Sequence, residues 1–434
     1  MRPSKLITCR EWQELPSGEL TDADLEVLRR AAKNEARRAG FAEDAILKRT
    51  EKGLAAQQMV GVLAAPGIAV EILPKVDGPD GAVRAALVQM LAVVRDFDVP
   101  TSDLAAMSTQ RHNWLELLIE LFAKRLRTAI RRGPPRRYVR HEEDLAVLRG
   151  MLNVKRQFTH LLVRPDLVAC RFDELSENTP LSRVCRAAAT RLAGITRSLE
   201  NHRRLMELLA RLDNVADSAS PLKEPVSLDR TNATFHDVYR LARMFLSDPW
   251  QDTRSGRTPG FSFLFPMNVL FEEFVGRSLQ KALGPGRVRL QGPSRSALRS
   301  ETGRHLFGLR PDIVVDARGC PVVLDTKWKN PAGTPSKDDT WQMLVYGQAY
   351  RAKRVILVYP WKRGIGDEGI HRRWTVTGAD YRLETATVDV GRPETVRQRL
   401  LGLFREQALE RPPTSLVPSA ATVEAQDGAA LKLP

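Results

Sequence analysis

Apolar residues recur along this chain with two different periods. Gln57 to Ala64 and Ile68 to Leu73 are β-rich runs on either side of Ala65-Pro66-Gly67, whose Pro and Gly supply turn dihedrals, so this stretch predicts a hairpin. From residue 81 to 132 the spacing becomes helical. In the second helix Trp114, Leu117, Leu118, Leu121, Phe122 and Leu126 share one face, and Gly133-Pro134-Pro135 ends it. Helical patterning is also expected over residues 141–152 and 181–213, the latter closing on the polar stretch 213–221. Past a loop at Asp252 to Gly260 the texture changes to a helix, a β-hairpin, a helix and an apolar strand in close order. The resulting expectation is a mixed α/β chain of an N-terminal domain (1–165), a helical connector (166–250), an α/β module (251–405) and a disordered, Pro/Ala/Ser-rich tail (406–434).

Composition narrows the class. At roughly 150 residues per domain, 434 residues allow two or three domains, each large enough to bury its own core. No apolar run reaches the ~18 residues of a membrane span, and the start is too soon interrupted for a secretory signal. Cys9, Cys170, Cys185 and Cys320 have no ligand spacing and read as buried thiols of a cytoplasmic protein. No phosphate-loop motif is present, so the chain has no recognisable phosphate loop of its own.

The net charge of +15 is unevenly spread: residues 251–405 hold 26 Lys+Arg against 15 Asp+Glu, hence +11 of it. Arg351, Lys353, Arg354, Lys362, Arg363, Arg372 and Arg373 crowd into a short stretch, which points to phosphate neutralisation on a polyanion.

Within that module Leu309 to Asp316 and Pro321 to Trp328 form two β-rich runs. A hairpin symmetric about Arg318-Gly319 sets Asp312 opposite Asp325, with Cβ atoms ~4.5–5.5 Å apart, where like charges repel. A hard divalent cation between them relieves that cost. Lys327, two residues after Asp325, leaves the same face of the strand. An Asp-x-Lys triplet alone recurs by chance; the preceding Pro311-Asp312, the hairpin spacing and Val322-Val323-Leu324 give it weight. Upstream, a helix from Pro266 to Leu283 buries Phe271, Phe274, Val275, Ser278 and Ala282; Glu272 lies at the edge of this stripe and Glu273 nearly opposite. Downstream, Gln342 and Tyr346 sit one turn apart on a helix beginning near Asp338, followed by the apolar strand Arg354 to Tyr359.

This order of helix acid, PD strand, D-x-K strand and Q-x-x-x-Y helix resembles the PD-(D/E)XK nuclease superfamily. The resemblance implies metal-dependent phosphodiester cleavage: Asp312, Asp325 and Glu272 bind Mg²⁺, Lys327 positions or stabilises the attacking water and the phosphorane charge, and Gln342 and Tyr346 orient the site. Lys329, Arg351, Lys353, Arg354, Lys362 and Arg363 are candidate DNA contacts, and none of the seven histidines competes for the chemistry.

More of the chain is similar to the McrC family of McrBC-type restriction systems. Val70-Glu71-Ile72-Leu73-Pro74-Lys75, Tyr138 with Leu148-Arg149-Gly150-Met151-Leu152, Phe172 to Pro180, Met267-Asn268 and Asp325-Thr326-Lys327-Trp328-Lys329 carry the likeness, while Ser182 stands where the pattern has asparagine. It implies a double-stranded DNA endonuclease subunit acting on 5-methylcytosine-type modification. Its N-terminal domain would dock on a hexameric McrB-like AAA+ GTPase and stimulate hydrolysis there. A non-catalytic activator of such a ring and a motor-independent repair nuclease are the competing expectations.

Overall fold

The computed structural model describes residues 5–109, 113–247, 262–317, 319–330, 333–366 and 368–404. The expectations for the Asp252 to Gly260 loop and for the 406–434 tail lie outside the described residues.

The N-terminal region comprises β1 (Lys5–Arg10), α1 (Asp22–Arg38), β2 (Leu47–Thr50), β3 (Gly53–Ala56), β4 (Met59–Ala65) and β5 (Ile68–Leu73). Thr21 and Asp24 start α1 as a reciprocal capping box. The 57–73 hairpin is present as antiparallel β4–β5. Alternation along β4 divides its side chains between two layers. Met59, Leu63 and Ala65 pack with Leu28, Ala32 and Ala36 of α1, whereas Val60 and Val62 join a larger core on the other face.

That larger core is built from α2 (Asp80–Arg95), α3 (Thr101–Thr109) and α4 (Trp114–Arg132), later joined by α6 (Pro180–Ile195), α7 (Leu199–Arg211) and α8 (His236–Ser247). Between the two groups stands an arm of β6 (Arg137–Leu145), β7 (Met151–Leu152), α5 (Val154–His160) and β8 (Val168–Ser176). Here the expected helix at 141–152 is corrected to strand, because β6 and β7 both pair with β8. Neither face of β6 is buried, so it lacks the period-two alternation of a half-buried strand; ladder bonds to a distant segment and ion pairs such as Arg171–Glu142 (2.8 Å) hold it. The boundary at 165/166 cuts this sheet, and the connector is not wholly helical.

The C-terminal region runs β9 (Phe263–Pro266), α9 (Met267–Leu283), β10 (Val288–Leu290), β11 (Arg295–Arg299), β12 (His305–Leu309), β13 (Ile313–Ala317), β14 (Cys320–Thr326), α10 (Lys337–Tyr350), β15 (Arg354–Pro360), β16 (Gly369–Thr375), β17 (Arg382–Val388) and α11 (Pro393–Gly402). Its six-stranded sheet has the order β10-β13-β14-β15-β17-β16, with β14, β15 and β17 parallel. Val322, Leu324, Ile356 and Val358 face α9, and Val323, Val355 and Leu357 face α10.

The regions are not separately cored. β9 pairs with β4, extending the N-terminal sheet to β1-β5-β4-β9, and one apolar cluster runs from Val60 to Leu403. Cys9, Cys170 and Cys185 are buried, but Cys320, at the β13–β14 turn, is exposed, which corrects the fully buried expectation. Among the described residues no helix is long and apolar enough to cross a membrane.

Candidate active site

The β13–β14 hairpin has the symmetric register, with Ile313 opposite Leu324 and Ala317 opposite Cys320. Asp312 lies one residue before β13, and Thr326 fixes it: the Thr326 backbone N–H and hydroxyl both donate to Asp312 Oδ2, at 2.7 and 2.8 Å. Asp325 is 2% exposed. It shares a face with Lys327, whose ammonium lies 2.6 Å from Asp325 Oδ2, although that oxygen receives no well-directed hydrogen bond. The ammonium donates to Gln342 Oε1 at 3.0 Å; Gln342 Nε2 donates to the Tyr346 hydroxyl at 3.0 Å, which itself donates to the Arg310 carbonyl at 3.3 Å. The structure thus brings the Gln342/Tyr346 pair of α10 against the Asp325/Lys327 pair of β14.

Glu272 approaches from α9, where Gln291 Nε2 donates to its carboxylate while the Gln291 backbone N–H donates to the Asp312 carbonyl at 2.7 Å. Glu273 faces elsewhere, 3.9 Å from Arg95. Burial and then the neighbouring Asp312 push the Glu272 carboxyl up to about 7, with Gln291 opposing. Burial and Asp312 likewise raise Asp325, against the pull of Lys327. Burial works to neutralise the Lys327 ammonium, but Asp325, Asp339 and Asp312 outweigh it and hold the proton. The centre is therefore a crowd of carboxylates around one cation.

Among the described residues no three carboxylate, imidazole or thiol groups already converge tightly enough to enclose a metal ion. Asp312 and Asp325, with Glu272 beside them, could instead hold one through part of its coordination shell. Their all-oxygen, mutually repelling donors suit a hard divalent cation that keeps water or substrate ligands.

Four contributors escaped the sequence reading. Asp339 accepts from the Lys329 ammonium and from Ser336 Oγ (2.7 Å), and lies 3.9 Å from Lys327. Ser336-x-x-Asp339 is legible as a helix start, but its facing two lysines is a tertiary fact. Gln291 carries no motif, and Thr326 stands in the Asp-x-Lys triplet only as its middle residue, with no sign there of its bonds to Asp312. Glu11, at the end of β1, accepts from Trp328 Nε1, and Trp328 packs on Phe271 with ring centroids 5.2 Å apart.

The basic stretch does not form one collar around the carboxylates. Arg354 is 2% exposed, paired through two nitrogens with Glu384 and donating to the Leu403 carbonyl at 2.9 Å, so it is corrected from a DNA contact to a buried structural cation. Arg351, at the end of α10, and Lys353, just before β15, are exposed; Lys353 is four residues, or about 13 Å, from the level of Asp325. Lys353 also pairs with Asp380. Lys329, Lys362 and Arg363 lie at the same strand end as Lys327, with the Arg363 backbone N–H donating to Asp77 at 3.0 Å.

Residues 54–360 match the family model described as "McrBC 5-methylcytosine restriction system component". The chain belongs to this McrBC family. Among solved structures it is similar to a chain of the refined half-complex from the tetradecameric assembly of Thermococcus gammatolerans McrB AAA+ hexamers with bound McrC. That likeness has 22% identity and a TM-score of 0.71, over 92% of this chain and 100% of that one. A chain of the Thermococcus gammatolerans McrBC complex matches with 24% identity and a TM-score of 0.51, over 67% of this chain and 89% of its own. No curated protein matches. The McrBC assignment agrees with the McrC-type motifs and with a mixed α/β fold.

Proposed function

We propose that this chain is the DNA-cutting subunit of a McrBC-type, modification-dependent restriction system, active on intracellular DNA when assembled with a GTP-hydrolysing AAA+ hexamer that it stimulates. The observation that carries this reading is the meeting of Asp312, Asp325 and Glu272 with Lys327, held by Gln342, at one end of the sheet. When bound there, Mg²⁺ would polarise a phosphate oxygen and acidify a water molecule. The protein's own groups do the rest. Asp312 and Asp325 offer the anionic oxygens, with Thr326 fixing the rotation of Asp312. Lys327, kept protonated, is placed to stabilise negative charge developing on the phosphorane. Gln342 supplies the ammonium with a second fixed acceptor, so that Lys327 is oriented by two groups.

The β6–β8 arm suits the partner-docking role. Tyr138 (73% exposed), Met151 (71%), Phe158 (63%) and Val163 (84%) present apolar surface on an element with little core of its own. The arm straddles the end of the N-terminal domain expected to meet the ring.

The decisive experiment combines the purified chain, its AAA+ partner, GTP, Mg²⁺ and methylated duplex DNA. Asp325→Ala and Lys327→Ala should abolish cutting while leaving GTPase stimulation intact; undiminished cutting by both would sink the assignment. Cutting by the chain alone without nucleotide would favour the motor-independent nuclease, and stimulation without any cutting the activator.

A further inference from the structure

The carboxylate centre leaves unused a cleft of about 920 Å³, open to solvent, between the end of α2, α8 and the second half of α9. Among the described residues Arg95, Arg240, Arg243, Arg277 and Lys281 line it, with Asp96 as the only carboxylate. Asp96 stands in the left-handed conformation at the end of α2 (φ 58°), where its carboxylate is already shared by Arg240 at 2.8 Å and Lys281 at 3.3 Å. Glu273 lies just outside, 3.9 Å from Arg95. Arg277 donates to Gln280 at 3.0 Å and Arg243 lies 5.8 Å from the Tyr239 ring centre; among the described residues neither is paired with a carboxylate. Both are exposed.

Asp96 and the flanking Glu273 offset part of this charge, but Arg243 and Arg277 add two cations from two helices to the same concavity, and an entering anion would relieve their repulsion. Four of the five are arginines, whose planar forks match phosphate oxygens two at a time. Among the described residues the apolar part of the lining is Val93, Val94, Met244 and Pro285, with no aromatic ring on which a base could stack. The chemistry is therefore recognition of phosphate without a nucleoside, in an open groove. That favours a nucleic-acid backbone over a free nucleotide.

We propose that this cleft is a second phosphate-backbone site, which grips duplex DNA away from the cutting centre. The proposal rests on the reading of the chain as a DNA-cutting subunit. Helix α9 links the two places: Glu272 stands at the carboxylates, and Lys281, nine residues on, lies about 14 Å farther along the same rigid element. A backbone held in the cleft gains affinity and a fixed distance to the centre, but no sequence information.

The test measures binding, so it does not depend on cutting. A short fluorescein-labelled, unmodified duplex is titrated with the full chain over a series of NaCl concentrations, and Kd is read by anisotropy. The Arg243→Glu/Arg277→Glu protein should bind about tenfold or more weakly, with a salt slope shallower by about two phosphate contacts. Arg243→Gln/Arg277→Gln should lose less affinity with a similar change of slope, and stands in if the charge reversal fails to fold. Lysine at both positions should restore most of the binding. Unchanged Kd and slope in a variant that melts like the parent would overturn the proposal. So would intact DNA binding with lost association with the AAA+ ring, which would assign the cleft to an acidic protein surface. Asp325→Ala separates the two readings: if it still cuts with the partner, the cutting centre is misassigned while the cleft result stands.

Discussion

Glu11 and Trp328, 317 positions apart in the chain, are hydrogen-bonded in the folded protein: the indole Nε1–H reaches both carboxylate oxygens, at 3.0 and 3.2 Å. The Lys75 backbone N–H donates to the same carboxylate at 3.1 Å. Glu11 is fully buried and Trp328 follows Lys327 directly, so the end of β1 supports the strand that carries the candidate centre.

Glu11→Ala should leave the half-buried Trp328 indole N–H and the Lys75 backbone N–H without their acceptor and cost about 1–3 kcal/mol in all. Glu11→Gln keeps an acceptor and should cost much less. With the partner present, Glu11→Ala should cut more slowly than Glu11→Gln at a temperature where both are folded, and equal rates would show that the contact serves stability alone. Urea melts and single-turnover cleavage measure the two effects separately.

Gln342→Ala should remove the acceptor that fixes the Lys327 ammonium from the side away from Asp325, together with the hydrogen bond to the Tyr346 hydroxyl. Cleavage should fall about tenfold, or roughly 1.4 kcal/mol in the barrier, with DNA affinity unchanged. A loss confined to binding would contradict a role for Gln342 in holding the lysine.

Arg354→Ala should remove the two-nitrogen partner of the buried Glu384 carboxylate, leaving it Arg382 at 2.7 Å and Arg373 at 3.8 Å, and destabilise the fold by up to about 3 kcal/mol. DNA affinity measured under folding conditions should not change. A larger loss, about 3–5 kcal/mol, is expected for Arg84→Ala, because the fully buried Glu71 takes Arg84 Nη2 at 2.7 Å and would keep only neutral donors such as the Trp114 backbone N–H at 3.0 Å.

Glu35 on α1 is buried, and burial pushes its carboxyl up to about 7 against the opposing Arg38. The folded form therefore holds a proton that the unfolded chain releases near the ordinary carboxyl range. Its contribution to stability is fully present below about pH 4.5 and is lost as pH rises through about 7. Glu35→Gln should consequently gain on the parent protein between pH 5 and pH 8, by on the order of 1–2 kcal/mol in chemical denaturation. A gap that does not widen with pH would refute the assignment.

What was legible in the sequence follows from how local each signal is. The 57–73 hairpin, the α4 stripe and the symmetric register of the β13–β14 hairpin rest on turn residues and periodicity within a few residues, and the structure contains all three. Strand β6 was not legible, since its charged faces have no core to pattern them and its partner lies about thirty residues away. Arg354 was misread as surface because an arginine at a strand start looks solvated until Glu384 is brought across from β17. Gln291, Asp339 and Glu11 owe their places to chain crossings that no motif announces.

The β4–β9 pairing bears on how this polypeptide could be divided. Gly61 of β4 has φ +141°, and a Cβ there would stand 2.0 Å from the Phe263 carbonyl, so the two strands touch backbone to backbone. Phe263 and Phe265 of β9 also pack on Trp114, with ring centroids 5.2 and 6.0 Å away. A cut in the chain between α8 and β9 would thus leave two fragments with matching unpaired strand edges and a shared aromatic seam. Produced together, such fragments should find each other and rebuild the whole; produced alone, the C-terminal one should expose a sticky edge and aggregate.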